Sequence, residues 1–212
     1  MSADPTGIES GCFAGLPTAV GHGRGVIAAE RDGLGIARLA ARTARAARLA
    51  ELFRGNFGIE PPHGPRRASL GEVAIAGIGP QTWLATCESA GNAFASSLRT
   101  LLGHCASVAD QSDAYVILRL TGPKVRETLA KLVPIDIHPR SFHSGDVAQT
   151  VCGYVSVTLW RLEDTAGDEP AFEIWTGRSL AVSLHHAISH AAAEFGFVRE
   201  PAHGPAVAEL EA

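Results

Sequence analysis

The chain has 212 residues, 46% of them hydrophobic and 19% charged, with a formal net charge of −4. That length gives one well-buried core, and that balance excludes both a disordered and a membrane-embedded chain. No apolar run reaches the roughly 20 residues that span a bilayer, and the start MSADPTGIES lacks the basic and apolar blocks of a signal peptide, so a cytoplasmic location is expected.

The first thirty-odd residues are rich in Gly and Pro without a period and read as an extended arm, 1–33. Its GHGRG, Gly21 to Gly25, does not spell a dinucleotide fingerprint and opens no helix at once, so a flexible arm is a better reading than a phosphate cradle. Residues 34–58 place Leu39, Ala46, Leu49 and Phe53 at helical spacing with Arg on the other faces, which predicts an Arg-rich helix. Between Arg31 and Arg54 six Arg face only Asp32 and Glu51, an excess of four positives, so the remainder carries −8. That segment has few aromatics and no nucleic-acid motif. Its Arg42, Arg45 and Arg48 are candidates for docking onto an acidic partner surface, with a solvated face as the plainer reading.

Three prolines end that helix and make 59–69 a linker before a regular region, 70–196. There EVAIAGIGPQTWLATCE reads as two strands broken near Gly77–Pro80, followed by a helix that Ser89 would cap and Gly103 would stop. YVILRLTG alternates as a strand. Gly122-Pro123 then opens a helix with Val125, Leu129 and Val133 inward and a Glu127–Lys131 pair, ending at Pro134. A long strand around Val155, Val157 and Leu159 pairs with AFEIWTG across an acidic turn. The last helix turns Leu180, Leu184, Ala187, Ile188, Ala191 and Phe195 to the core and ends at Gly196, leaving a tail, 197–212. Hairpins mixed with helices indicate an α+β class.

Few residues announce chemistry. The four cysteines, Cys12, Cys87, Cys105 and Cys152, form no C-x-x-C pair. His186, His190 and Glu194 share one face of the last helix, but that face is its polar side and no Glu stands between the histidines as in a zincin. Trp83, Trp160 and Trp175 lie in strands as core or interface residues. The densest titratable stretch is VPIDIHPRSFHSGDVAQT, Val133 to Thr150, where Asp136, His138 and His143 are weak site candidates. Pro134 and Gly145 in the same stretch favour a turn that shapes the chain.

The order of several segments carries a resemblance. Asp110-Gln111-Ser112, VILRLTGP, VRETLAKLVPIDIHP, FHSGDVAQT and GRSLAVSLHHAISHAAAEFG together resemble the gamma subunits of heterotetrameric sarcosine oxidase, over about Leu70 to Gly196. That family is in turn similar to the folate-binding T-protein of glycine cleavage. Leu120-Thr121-Gly122, Asp136 and Gly145 keep the scaffold of the T-protein pattern, whereas VCGYVSVTLWRLED lacks its paired catalytic acids. The resemblance therefore implies a T-protein-like fold, an antiparallel sheet packed with helices in ferredoxin-like units, without the aminomethyl chemistry. It also implies a non-catalytic chain with no cofactor of its own, whose partners are the alpha, beta and delta subunits of a sarcosine-demethylating flavoenzyme. FAD, FMN, NAD, tetrahydrofolate and zinc would sit on those partners. Alternatives are the equivalent subunit of a related complex such as N-methylglutamate dehydrogenase, an independent folate-binding module, and a silent stand-alone binding domain.

Overall fold

The computed structural model describes residues 12–203. Its first part runs β1 (Ala19–Val20), β2 (Val26–Arg31), β3 (Gly35–Ala41), α1 (Ala46–Phe57), β4 (Arg67–Leu70), β5 (Val73–Gly79), β6 (Thr82–Cys87), α2 (Ala93–Leu102) and β7 (Ala106–Asp110). Then follow β8 (Tyr115–Thr121), α3 (Val125–Ala130), β9 (Val147–Cys152), β10 (Val155–Arg161), β11 (Phe172–Gly177), α4 (Ala181–Ala192) and β12 (Phe197–His203). One sheet has the order β1-β12-β2-β8-β11-β10-β9, the other β4-β5-β6-β3-β7. Every pairing is antiparallel except β12 with β2.

The period of two along each strand sorts side chains into layers. On β8, Val116, Leu118 and Leu120 join Phe172, Ile174, Leu184 and Ile188 in a core under α3 and α4. Leu39, Ile75 and Ala85 of the second sheet meet Leu49, Phe53, Phe94 and Leu98 of α1 and α2. The opposite faces of the two sheets meet each other through Ile36, Ala76, Leu84, Ile117, Trp160 and Trp175. The result is a helix, sheet, sheet, helix stack, and the charged residues of chief interest lie in its middle.

Several sequence boundaries shift. Gly35–Ala41 is not helix but β3, an inner strand between β6 and β7. Ala, Leu and Arg favour helix locally, yet pairing on both edges with Ile36 to one face and Ala37 and Leu39 to the other outweighs a few tenths of a kcal/mol per residue. The arm beyond residue 11 is largely structured, because β2 is an inner strand between β12 and β8; residues 1–11 lie outside the described region. The expected tail starts with a seven-residue strand, β12, whose Pro201 sits where the register shifts between Glu200 and His203, the place where a strand tolerates proline. Residues 204–212 lie outside the described region. The linker 59–69 gives its end to β4, so the domain is not confined to 70–196. β9 is a strand too, hairpinned to β10, where only a link was expected.

Three helices carry smaller corrections. Glu127 pairs with Lys124 at 2.7 Å rather than with Lys131, which instead reaches Glu194. Ser89 donates to Glu72 and α2 begins after Asn92 without a side-chain cap. On α4 the buried face is Ala181, Leu184, His185, Ile188, Ser189 and Ala192, so Leu180 is exposed and Ala187 and Ala191 are only half-buried.

The GHGRG segment turns out to be a packing device. Gly25 N–H donates to Phe195 O at 3.0 Å, Val26 N–H to Gly196 O at 3.0 Å, and Lys124 N–H to Gly25 O at 2.9 Å. A Cβ on Gly25 would stand 2.5 Å from Phe195 O, so three backbones meet where no side chain fits.

His185 locks the N-terminal segment onto α4. It is fully buried, its Nε2 lies 3.1 Å from Pro17 O, and its ring packs against Phe13 at 5.9 Å and Phe197 at 5.4 Å. Burial lowers its pKa, with Arg199 adding to the effect. The folded state therefore favours the neutral ring; its contribution is complete above the ordinary value of 6.5 and is lost as pH falls below that value. Thermal midpoints should decline as pH falls below about 6.5, and His185→Phe should flatten that decline. An unchanged profile in the variant would count against the assignment.

Candidate functional site

The stretch from Val133 to Thr150 is a turn built on buried Val133, Ile137, Phe142 and Val147. Asp136 Oδ1 accepts from His138 N–H at 2.9 Å. The Ser141 hydroxyl and that N–H hold the Asp136 carboxyl below its ordinary range, which suits a turn anchor and not a proton donor. His138 Nδ1 accepts from Arg140 N–H at 3.2 Å, and His143 N–H donates to Asp146 Oδ2 at 2.7 Å. Gly145 takes a φ of 83°, as its place in the turn requires. A recess of about 270 Å³ touches Asp136 and His138, but among the described residues no hydrogen bond or ion pair joins either of them to His143. Asp146 reaches Arg66 at 2.6 Å and so ties the turn to the second sheet.

Arg42, Arg45 and Arg48 are all exposed, in the turn before α1 and on its first turn. Arg42 Nη2 donates to Gly103 O at 3.3 Å and Arg48 pairs with Glu51 at 2.7 Å. Cations just before and within the first turn of a helix oppose its dipole, so their charge does not stabilise that helix end. The same helix, through Ala46, Ala47, Ala50 and Arg54, lines a cleft of about 610 Å³ closed on its other side by Pro61, Pro62 and Trp83. His186 and His190 stack on the exposed face of α4 at 6.1 Å, and Glu194 is taken by Lys131. All four cysteines are free, and burial pushes the Cys152 thiol up to about 12, which leaves it unreactive.

Sequence reasoning missed the charged cluster between the sheets. Glu173 on β11 stands in register between Arg119 on β8 and Trp160 on β10, and its side chain is 3% exposed. Arg31 Nη1 and Arg119 Nη2 each donate to its Oε1 at 2.7 Å, and Arg31 also reaches Glu88. Burial works against the Arg31 charge, yet Glu173 and Glu88 outweigh it and raise its pKa. From the second sheet Arg67 lies 5.7 Å from the Trp160 ring centre, while Trp160 and Trp175 stack at 4.3 Å. Burial lowers the Arg67 pKa. The signal was in FEIWTG, where an acid alternates with Trp on the face opposite Phe172 and Ile174.

The stacked double sheet can now be set beside known proteins. A family model described as the GCVT N-terminal domain matches residues 69–203. The chain belongs to that family. The matched stretch starts after β2 and β3, yet those strands complete both sheets here. One chain of the heterotetrameric sarcosine oxidase from Corynebacterium sp. U-96, solved with pyrrole 2-carboxylate, superposes with a TM-score of 0.71 at 25% identity, over 83% of this chain and 88% of that one. Aminomethyltransferase T of the glycine cleavage system from Bartonella henselae shares the fold, with a TM-score of 0.57 at 12% identity, covering 82% of this chain and 47% of that one. The T-protein-like fold is therefore established, with mainly antiparallel sheets. Two proteins named sarcosine oxidase subunit gamma align as well. That of Arthrobacter sp. is 30% identical over 89 residues, which is 42% of this chain and 44% of that protein. That of Corynebacterium sp. (strain P-1) is 29% identical over 104 residues, 49% and 51% respectively. The chain spans about half the length of the curated relatives it matches.

Proposed function

We propose that this GCVT N-terminal domain is the non-catalytic gamma subunit of a heterotetrameric sarcosine oxidase. That complex would demethylate sarcosine oxidatively to glycine, formaldehyde or methylenetetrahydrofolate, and hydrogen peroxide. The observation that carries the reading is the superposition on a sarcosine oxidase chain over most of both molecules. Its supporting geometry is that Asp136 and His138 share one turn while His143 serves another. The alpha, beta and delta subunits would hold FAD, FMN, NAD, tetrahydrofolate and zinc, in the cytoplasm. This chain would buttress them, with Arg42, Arg45 and Arg48 beside the α1 cleft as the contact to an acidic partner face.

One experiment with two arms tests this. A complex assembled on Asp136→Asn/His138→Gln/His143→Gln should keep its sarcosine turnover within about twofold, the effect of a group that touches no reacting atom. Loss of turnover with the assembly intact would overturn the non-catalytic reading. Arg42→Glu/Arg45→Glu/Arg48→Glu should slow assembly and blunt its salt dependence, and an unchanged rate and salt slope would remove these residues from the interface.

A further inference from the structure

The layer between the sheets holds more positive charge and more hydrogen-bond donors than it uses. Among the described residues Arg31, Arg67 and Arg119 face Glu88 and Glu173, an excess of one positive charge. Arg67 makes no ion pair among the described residues. Its Nη1 donates to Ser69 Oγ at 3.0 Å, and its Nε, on the opposite edge of the guanidinium, is buried without an acceptor. The indole N–H groups of Trp160 and Trp175, both residues 1% exposed, are also buried without an acceptor among the described residues. Native proteins leave few such donors unmet, because each costs about 1–3 kcal/mol. These three unmet groups are all donors and share one layer, beside a net positive charge, whereas the buried Thr128 Oγ1 and His185 Nδ1, also unmet among the described residues, lie apart from it on α3 and α4.

A neutral water would satisfy a donor and leave the charge. A phosphate dianion would overshoot it. A carboxylate supplies one negative charge and two coplanar oxygens, and two such oxygens fit the Nε–Nη2 edge of a guanidinium side-on. The neighbours on the second sheet are small, since Ser69, Ala74 and Thr86 form one cross-strand row, next to the row of Arg67 and Ala76. The cluster meets solvent at Arg119 and Glu88, whose side chains are 40% and 36% exposed, while Glu173 is closed off. We propose that the layer binds a carboxylate, with the free edge of Arg67 and the Trp160 indole as its donors. The carboxylate is either a small free acid or an Asp or Glu side chain presented by a partner. The free-acid form of the proposal does not depend on the sarcosine oxidase reading, whereas the partner form rests on it.

The test is a titration of the full chain with sodium acetate against sodium chloride at matched ionic strength, read by tryptophan fluorescence and by thermal midpoint. If the acid is free, acetate shifts both signals saturably and chloride does not, and Arg67→Lys, which keeps the charge and loses the fork, weakens acetate about tenfold. If the acid belongs to a partner, acetate leaves the isolated chain unchanged but competes with its assembly into the complex, and Arg67→Lys weakens assembly about tenfold. The wild-type titrations stand by themselves should that variant fail to fold. Equal responses to acetate and chloride, or no response of chain and assembly to acetate, would overturn the proposal.

Discussion

Glu173→Gln should lower the stability of the chain by about 3–5 kcal/mol, because it removes the shared partner of two cations from a closed layer. The side chain keeps its shape, so the loss is electrostatic and not a cavity. Arg31, 11% exposed, would be left with Glu88 alone, whereas Arg119, 40% exposed, can turn to water. Removing the cations one at a time should therefore be unequal. Arg31→Met breaks bonds to two carboxylates, one of them buried, and should approach the loss caused by Glu173→Gln. Arg119→Met leaves Glu173 bonded to Arg31 and should lose about 1 kcal/mol, the usual scale of a half-exposed pair. Urea midpoints at constant slope measure all three. Equal, small losses would show that the cluster contributes little to folding.

Gly122→Ala should destabilise the chain by about 3 kcal/mol or more. Its φ is 110°, which an L side chain rarely adopts, and a Cβ there would stand 2.6 Å from Gly25 O and 3.3 Å from Val26 Cα. Backbone strain of about 1–3 kcal/mol adds to an overpacking term of similar size, and the obstacle is backbone that cannot rotate away. Because β2 and α3 meet at this point, the variant should also loosen the N-terminal segment against α4. Limited proteolysis should then cut before Val26 first. Gly55→Ala is the control, since nothing lies within 4 Å of its Cβ position and it sits inside α1, so it should be neutral or slightly stabilising.

The sequence was legible wherever the period of a segment matched its burial. VILRLT reads as a strand with two faces, and it is one, with its two faces in two different cores. GIARLAA failed because Ala, Leu and Arg suit a helix and nothing in the segment itself names the two strands that flank it. β2 and β12 were hidden for a related reason. They pair with each other in parallel across most of the chain length, and such contacts leave no local mark beyond the buried Val26, Ala28 and Phe197. At the candidate sites, clusters of titratable residues in sequence misled. Asp136, His138 and His143 are close along the chain, yet the first two only hold one turn and His143 holds another, while Arg31, Arg67, Arg119 and Glu173 are far apart along it and meet between the sheets. Only the family resemblance, carried by motif order, reached past these local limits.

The most direct test of the account is the native mass and visible spectrum of the material that copurifies with this chain when its neighbouring genes are expressed with it. A multi-subunit species with flavin absorbance that bleaches on adding sarcosine is the predicted result. Bleaching by another N-methyl amino acid alone would keep the subunit role and replace the substrate. A colourless monomer of the chain's own 22.1 kDa would contradict the account.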